Sequence, residues 1–327
     1  MYAMINNFFN HYFNINKMKI CHLLIFLLLI GIVTISCKKN NDKTQQPCPG
    51  GCGVLDFNLI DYQPAWSPDG KHIAFYHIDK VLAKNGIWLI TQDGKENRLW
   101  HSGIGAENPC WSPDGQWIVF SQGAQIWKKK LNGDSLTRIT NEGRNFFPAW
   151  SPNGKLIANH RSYFSPEPQS VQGIWIMDIH GNNKEQVFSG NCGFPFWNHL
   201  NNILFIRGVT NSKGEVIGDS LKSYLFVNKN IANIFFMSGD NTYPQYSAIN
   251  NKICYTSQPV NGLPQIWVIK ADGTSQKQMT QIGGYTSDWS PNESQIVFTD
   301  SRALNGRLWL MNADGSNKQQ LSFDKNF

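Results

Sequence analysis

The sequence predicts an all-β chain folded as a six-bladed β-propeller with four-stranded antiparallel blades. Three observations carry this. A phrase of Pro, one further residue, an aromatic and usually a Ser-Pro-Asp/Asn-Gly turn returns six times. Its aromatic markers, Trp66, Trp111, Trp150, Trp197, Tyr246 and Trp289, are separated by 45, 39, 47, 49 and 43 residues, a period of one blade per repeat. Short apolar runs of strand length follow each copy, and helical periodicity is scarce beyond the N-terminus.

The first repeat can be taken strand by strand. Pro64 to Ser67 is the innermost strand, and Ser67-Pro68-Asp69-Gly70 is a turn in which Pro presets φ and Gly takes the last position. His72 to Tyr76 is the second strand and Gly86 to Thr91 the third. Asp93-Gly94 marks a hairpin, and Arg98 to His101 is the fourth strand. Second strands recur at 117–120, 156–158, 203–206, 252–255 and 296–298, and third strands at 125–127, 174–177, 265–268 and 307–310. The hairpin turns recur as Asn132-Gly133, His180-Gly181, Asp272-Gly273 and Asp314-Gly315.

Repeat four departs from this pattern. It lacks the Asp-Gly turn, and an excursion from Gly208 to Ser223 precedes the strand Tyr224-Leu225-Phe226-Val227. Blades are expected to begin near residues 62, 107, 146, 193, 242 and 285. Two segments compete for the outer strand of the last blade: Gly53-Val54-Leu55-Asp56-Phe57 and Lys318-Gln319-Gln320-Leu321-Ser322. A ring closed by either removes an exposed edge.

The phrase Trp-Ser-Pro-Asp-Gly, followed by an Ile-Ala-Phe-like strand and an Ile-Trp…Asp-Gly hairpin, resembles the six-bladed propeller of TolB and its relatives. The resemblance covers roughly Tyr62 to Ser322 and rests on three close and three degenerate copies. It does not extend to the α/β domain that precedes the TolB propeller and engages the Tol machinery. Prolyl-oligopeptidase relatives carry the same phrase ahead of an α/β-hydrolase domain, but no Gly-x-Ser-x-Gly is present in this chain.

Residues 1–36 are read as a signal peptide whose start is Met18. Lys17 and Lys19 supply positive charge, and Leu23 to Ile35 is an apolar run too short for a confident span. Thr34-Ile35-Ser36-Cys37 resembles a bacterial lipobox with Thr in place of the usual Leu, which makes Cys37 the expected acylated residue. By resemblance to enterobacterial sorting, Lys38 after the cysteine favours the outer membrane. Residues 37–53 form a polar tether after the lipid, and residues 54–327 the propeller. Across the Gly50-Gly51 turn, Cys48 and Cys52 can meet as a disulfide, which an exported chain permits.

Charge excludes little: without Lys17 and Lys19 the chain holds 27 basic and 23 acidic groups. Lys128-Lys129-Lys130 is read as a solvated strand end and not as a nucleic-acid patch. Cys110 and Cys254 are read as buried small hydrophobes. The histidines His72, His77, His101, His160, His180 and His199 share no repeat position and no metal-ligand spacing, so each is expected in a loop or at a strand edge. The Asp-Gly pairs are assigned to turns and not to calcium. Arg161, Arg207 and Arg302 follow second strands, where the TolB resemblance implies a pairing with a neighbouring blade or a ligand.

The residue three before each aromatic marker enters the inner strand near the axis. This ring would be Gln63, Asn108, Phe147, Phe194, Tyr243 and Thr286, uncharged and half aromatic. The functional expectation is a non-catalytic envelope lipoprotein, without cofactor or metal, whose propeller binds an envelope protein or peptide on this ring. The alternative is a propeller enzyme or glycan-binding protein acting on polysaccharide at the cell surface.

Overall fold

A computed structural model of the chain describes residues 59–163, 166–213, 216–259, 262–300 and 306–323. The signal segment, Cys37, the tether with Cys48 and Cys52, the 53–57 candidate strand and Arg302 lie outside the described residues.

The described residues form six four-stranded antiparallel sheets, each a meander of consecutive strands. Blade one holds β1 (Leu59–Trp66), β2 (His72–Asp79), β3 (Gly86–Thr91) and β4 (Asn97–Ser102). Blade two holds β5 (Glu107–Trp111), β6 (Trp117–Gln122), β7 (Gln125–Lys130) and β8 (Thr137–Arg138). Blade three holds β9 (Arg144–Trp150), β10 (Leu156–Ser162), β11 (Gly173–Asp178) and β12 (Glu185–Ser189). Blade four holds β13 (Gly193–Trp197), β14 (Ile203–Thr210), β15 (Val216–Leu225) and β16 (Asn230–Ser238). Blade five holds β17 (Asp240–Ser247), β18 (Lys252–Gln258), β19 (Gln265–Lys270) and β20 (Lys277–Gln278). Blade six holds β21 (Tyr285–Trp289), β22 (Gln295–Thr299), β23 (Leu308–Asn312) and β24 (Gln319–Gln320).

The first strand of every blade is innermost. β1, β5, β9, β13, β17 and β21 touch one another in a closed circle, with β21 returning to β1. The apolar core follows the same logic, because it is divided into six clusters and each lies between two neighbouring blades. One joins Trp66, Phe75 and Ile90 of blade one to Val297, Leu310 and Leu321 of blade six. The others join blades one and two, two and three, three and four, four and five, and five and six. A buried Ile, Leu or Phe in such a cluster stabilises by about 1.5–3 kcal/mol, so apolar packing joins neighbouring blades while backbone ladders join the strands within each.

The repeated tryptophans make these junctions specific. Trp111, Trp197 and Trp289 each donate the indole N–H to a backbone carbonyl of the preceding blade, at Ala65, Ala149 and Gln245, over 2.9–3.2 Å. At the other two tryptophan junctions the bond takes another form. The backbone N–H of Trp150 donates to the Cys110 thiol at 3.3 Å, and that of Trp66 to Asp288 Oδ2 at 2.7 Å.

The Ser-Pro-Asp-Gly turn is wired by its own side chains. Ser67 Oγ donates to Asp69 Oδ1 at 2.6 Å and accepts from His72 N at 3.0 Å. Ser112 with Asp114 and Ser151 with Asn153 repeat the arrangement. Gly70, Gly115 and Gly154 close these turns at φ of 68–72°. Where the sequence drops Gly, the left-handed place passes to Asn201, Asn251 and Glu293. Glu293 serves a second purpose: it is buried and accepts from Ser247 Oγ, from Ile249 N at 2.6 Å and from Asn250 N at 2.7 Å, tying the turn of blade six to that of blade five.

One expectation needs correction and one open choice is resolved among the described residues. The excursion in repeat four is strand: β14 and β15 pair from Ile203↔Tyr224 out to Thr210↔Val216, making a longer hairpin than in other blades. The outer strand of blade six is the C-terminal candidate, since Gln319 and Gln320 pair with Leu310 and Trp309.

Glu293→Gly would restore the consensus turn and relieve the left-handed strain, worth about 1 kcal/mol. It also removes three charge-assisted hydrogen bonds, each worth about 1.5–3 kcal/mol. We expect a net loss of roughly 2 kcal/mol or more, seen as a lower melting temperature in calorimetry. An unchanged or higher value would mean the turn, not the cross-blade tie, governs this position.

Candidate functional site on the propeller axis

Every inner strand is broken at the same point. Pairing with the second strand skips after Tyr62, Glu107, Phe146, Gly193, Thr242 and Tyr285, and the next residue is left without a ladder partner. That next residue is Gln63, Asn108, Phe147, Phe194, Tyr243 or Thr286, and all six are left-handed, with φ of 39–57°. Five precede a proline, which has no N–H to offer the ladder and therefore suits a bulge. Left-handed Phe, Tyr, Thr and Gln cost about 1–2 kcal/mol each. Six such residues at one register are a built feature.

The bulges turn the six side chains onto one another. Thr286 Oγ1 accepts from Gln63 N at 3.1 Å, Gln63 Oε1 accepts from Asn108 N at 2.8 Å, and Thr286 N donates to Thr256 Oγ1 at 3.1 Å. On the other side Phe147, Phe194 and Tyr243 form a triangle with ring centres 4.6, 4.7 and 5.9 Å apart. Gln63 Nε2 reaches Tyr243 Oη at 3.5 Å and joins the polar half to the aromatic half. Gln63 and Thr286 are buried, while Asn108, Phe147, Phe194 and Tyr243 remain partly open.

The residues just before the ring bring in chemistry that the three-before spacing does not reach. Tyr62, Glu107 and Tyr285 stand there, and Tyr76 packs edge-on against Tyr62 at 5.1 Å. Tyr285 packs edge-on against Tyr243 at 5.3 Å. Burial pushes the Glu107 carboxyl up to about 7, opposed only by the neighbouring Tyr62 hydroxyl. Tyr62, Tyr76, Tyr243 and Tyr285 all have raised phenol pKa values, chiefly from burial and partly from the nearby Glu107 charge. Burial thus biases the Glu107 carboxyl and these phenols toward their neutral forms.

The meander also sorts the connections. Turns between first and second and between third and fourth strands share one face, and all other connections share the opposite face, where the inner strands begin. This entry face carries exposed Leu82, Ile104 and Ile282. Leu200, Ile249 and Val227 are exposed on the turn face.

The remaining candidates have structural partners. Lys128 and Lys129 are not a solvated end: their ammonium groups donate to Ile179 O at 2.5 Å and Trp100 O at 2.9 Å, bridging blade two to both neighbours. His77 and His160 are not edge residues but are buried within second strands. Burial pushes His160 down to about 4, which keeps it neutral against Phe147. Arg161 pairs with Glu167 at 2.5 Å and lies over Trp175, and Arg207 lies over Phe188 of the preceding blade. Cys110, Cys192 and Cys254 are free thiols, their pKa values raised by burial, and Cys110 is an acceptor rather than mere filling. Among the described residues no group of three His, Cys, Asp or Glu could hold a metal ion.

The Glu107 shift has a direct consequence. Its folded pKa lies above the ordinary 4.5, so the penalty of the buried charge is absent below pH 4.5, grows from there and is complete above pH 7. Glu107→Gln removes that penalty. We expect its melting temperature to exceed that of the native chain at pH 8 by about 2 °C or more and to match it at pH 4.5. Equal melting curves at pH 8 would mean the carboxylate is well solvated.

Comparison with known proteins agrees with this architecture. Residues 52–195 match the family model described as the TolB beta propeller domain. An uncharacterised protein of Agrobacterium fabrum is 32% identical over 167 residues, 46% of this chain, and the match spans only 56% of that relative. A structure described as TolB from Agrobacterium tumefaciens superposes with a TM-score of 0.61 at 19% identity, covering 72% of this chain and 87% of that one. TolB of Acinetobacter baumannii gives 0.61 at 18% identity, covering 82% and 64%. An oligogalacturonate lyase of Vibrio parahaemolyticus has the same fold, with a TM-score of 0.52 at 10% identity over 78% of this chain and 91% of that one. With six closed blades in the fold, the chain is a six-bladed β-propeller whose first blades are similar to the TolB beta propeller domain.

Proposed function

We propose that this chain is a lipid-anchored protein of the bacterial cell envelope whose propeller is a non-catalytic docking platform for a protein or peptide. The observation that carries this reading is the axial ring: six left-handed residues stand at one register, and Phe147, Phe194 and Tyr243 pack together and stay partly open there. Aromatic residues held rigid in a half-open site suit anchor contacts with a partner. The apolar tips of Leu82, Ile104 and Ile282 on the same face add adaptable contact around it. The envelope location and the lipid at Cys37 rest on the N-terminal signal pattern.

The test is a face-specific crosslink in living cells. A photoreactive phenylalanine at Leu82, Ile104 or Ile282 should give a discrete protein adduct, and the same probe at Leu200, Ile249 or Val227 on the turn face should give none. Cys37→Ala should release the chain from the membrane fraction or leave it unprocessed. Adducts from the turn face alone would overturn the platform, as would eliminative cleavage of a pectic oligosaccharide by the purified chain, the chemistry of the lyase that shares the fold.

A further inference from the structure

We propose that Glu107 is a cation-accepting group at the mouth of the axis, which takes the lysine or arginine side chain of the docked partner. The inference rests on the platform reading and adds the chemistry of what is inserted.

Among the six left-handed residues and the six before them, Glu107 is the only carboxylate. Its surroundings are aromatic: Tyr62 and Tyr76 form an edge-on pair, Tyr243 and Tyr285 another, and all four phenols lie close enough to feel the Glu107 charge. Tyrosines of blades one, five and six thus surround the carboxylate of blade two.

The molecule partners its other inward-facing carboxylates. Asp61 has His77 and Ser322, Glu293 has Ser247 and two backbone N–H groups, and Asp219 accepts from Asn241 N at 2.7 Å. Asp288 accepts two backbone N–H groups. Glu107 has no such set: among the described residues no Lys, Arg or His pairs with it and no backbone N–H is bonded to it. Tyr62, itself more than nine-tenths buried, has its hydroxyl beside the carboxylate and finds no other partner. Burying a carboxylate without a counter-charge is costly, and a glutamine could face Tyr62 without that cost.

An ammonium or guanidinium entering from the face would offset this. It brings the missing charge, donates to the carboxylate and to the Tyr62 hydroxyl, and places a cation against ring faces, a contact that strengthens when water is excluded. An anionic group would be repelled. A neutral one would leave the carboxylate as it is.

The test is calorimetric titration of the purified chain at pH 8 with N-acetyl-arginine amide, and with N-acetyl-norleucine amide as the uncharged control. The arginine compound should bind saturably and the control much more weakly. Glu107→Gln, a variant expected to fold at least as well at this pH, should weaken arginine binding about tenfold or more and leave the control unchanged. Lowering the pH to 5 should weaken binding to the native chain alone. Absence of saturable binding, equal binding by Glu107→Gln, or no preference over norleucine would overturn the inference. If those results came with entry-face crosslinks intact, the platform would stand without its cation. Loss of the crosslinks themselves would remove the platform.

Discussion

Among the described residues no chain connection crosses from blade six to blade one, so non-covalent contacts hold that junction, and the described outer strand of blade six is β24. Asp61 is central to the join. Its backbone N–H donates to Gly306 O at 2.9 Å, and its carboxylate accepts from Ser322 Oγ at 2.5 Å. His77 Nδ1 lies at 2.6 Å from the same carboxylate and Arg307 Nη1 at 3.9 Å. Asp61 and His77 are fully buried. Asp288 adds a second tie from blade six to Trp66 N, and Gln63 a third through Thr286. Removing one partner from such a buried set leaves an uncompensated charge, at a cost of about 3–5 kcal/mol.

The axial site depends on this closure. Its polar half runs Thr286, Gln63, Asn108, from blade six through blade one to blade two, directly across the junction. Tyr243 of blade five reaches Gln63 of blade one only in a closed ring. The left-handed bulges would be expensive in an isolated blade. In the ring they are offset by the contacts that the six side chains make with one another. Strain at the axis and packing between blades are two sides of one arrangement.

Much of this was legible in the sequence because turns and bulges are narrow in their chemistry. Ser-Pro-Asp-Gly marks a turn through the side chains that wire it, and Pro after the ring residue marks a bulge that spares a ladder bond. Counting three back from each aromatic marker therefore found the six left-handed residues. What stayed hidden depends on neighbours distant in the chain. Glu107 gains its meaning from Tyr243 and Tyr285, which are brought to it only by closure. Lys128 and Lys129 look like a charged strand end until blades one and three supply carbonyls. Glu293 looks like a lost glycine until the turn of blade five is beside it. The long hairpin of blade four escaped because its strands outrun those of the other blades, although Asn211-Ser212-Lys213-Gly214 carries turn residues between them.

The most direct test of this account is amide hydrogen exchange of Asp61→Ala against the native chain under native conditions. Closure through Asp61 predicts that protection falls first and most in residues 59–66 and 306–312, followed by the inner strands β5 and β21 around the axis, with a stability loss of about 3 kcal/mol or more. Unchanged protection across residues 59–66 and 306–312, with a loss under about 1 kcal/mol, would contradict it and show that apolar packing between blades one and six closes the ring alone.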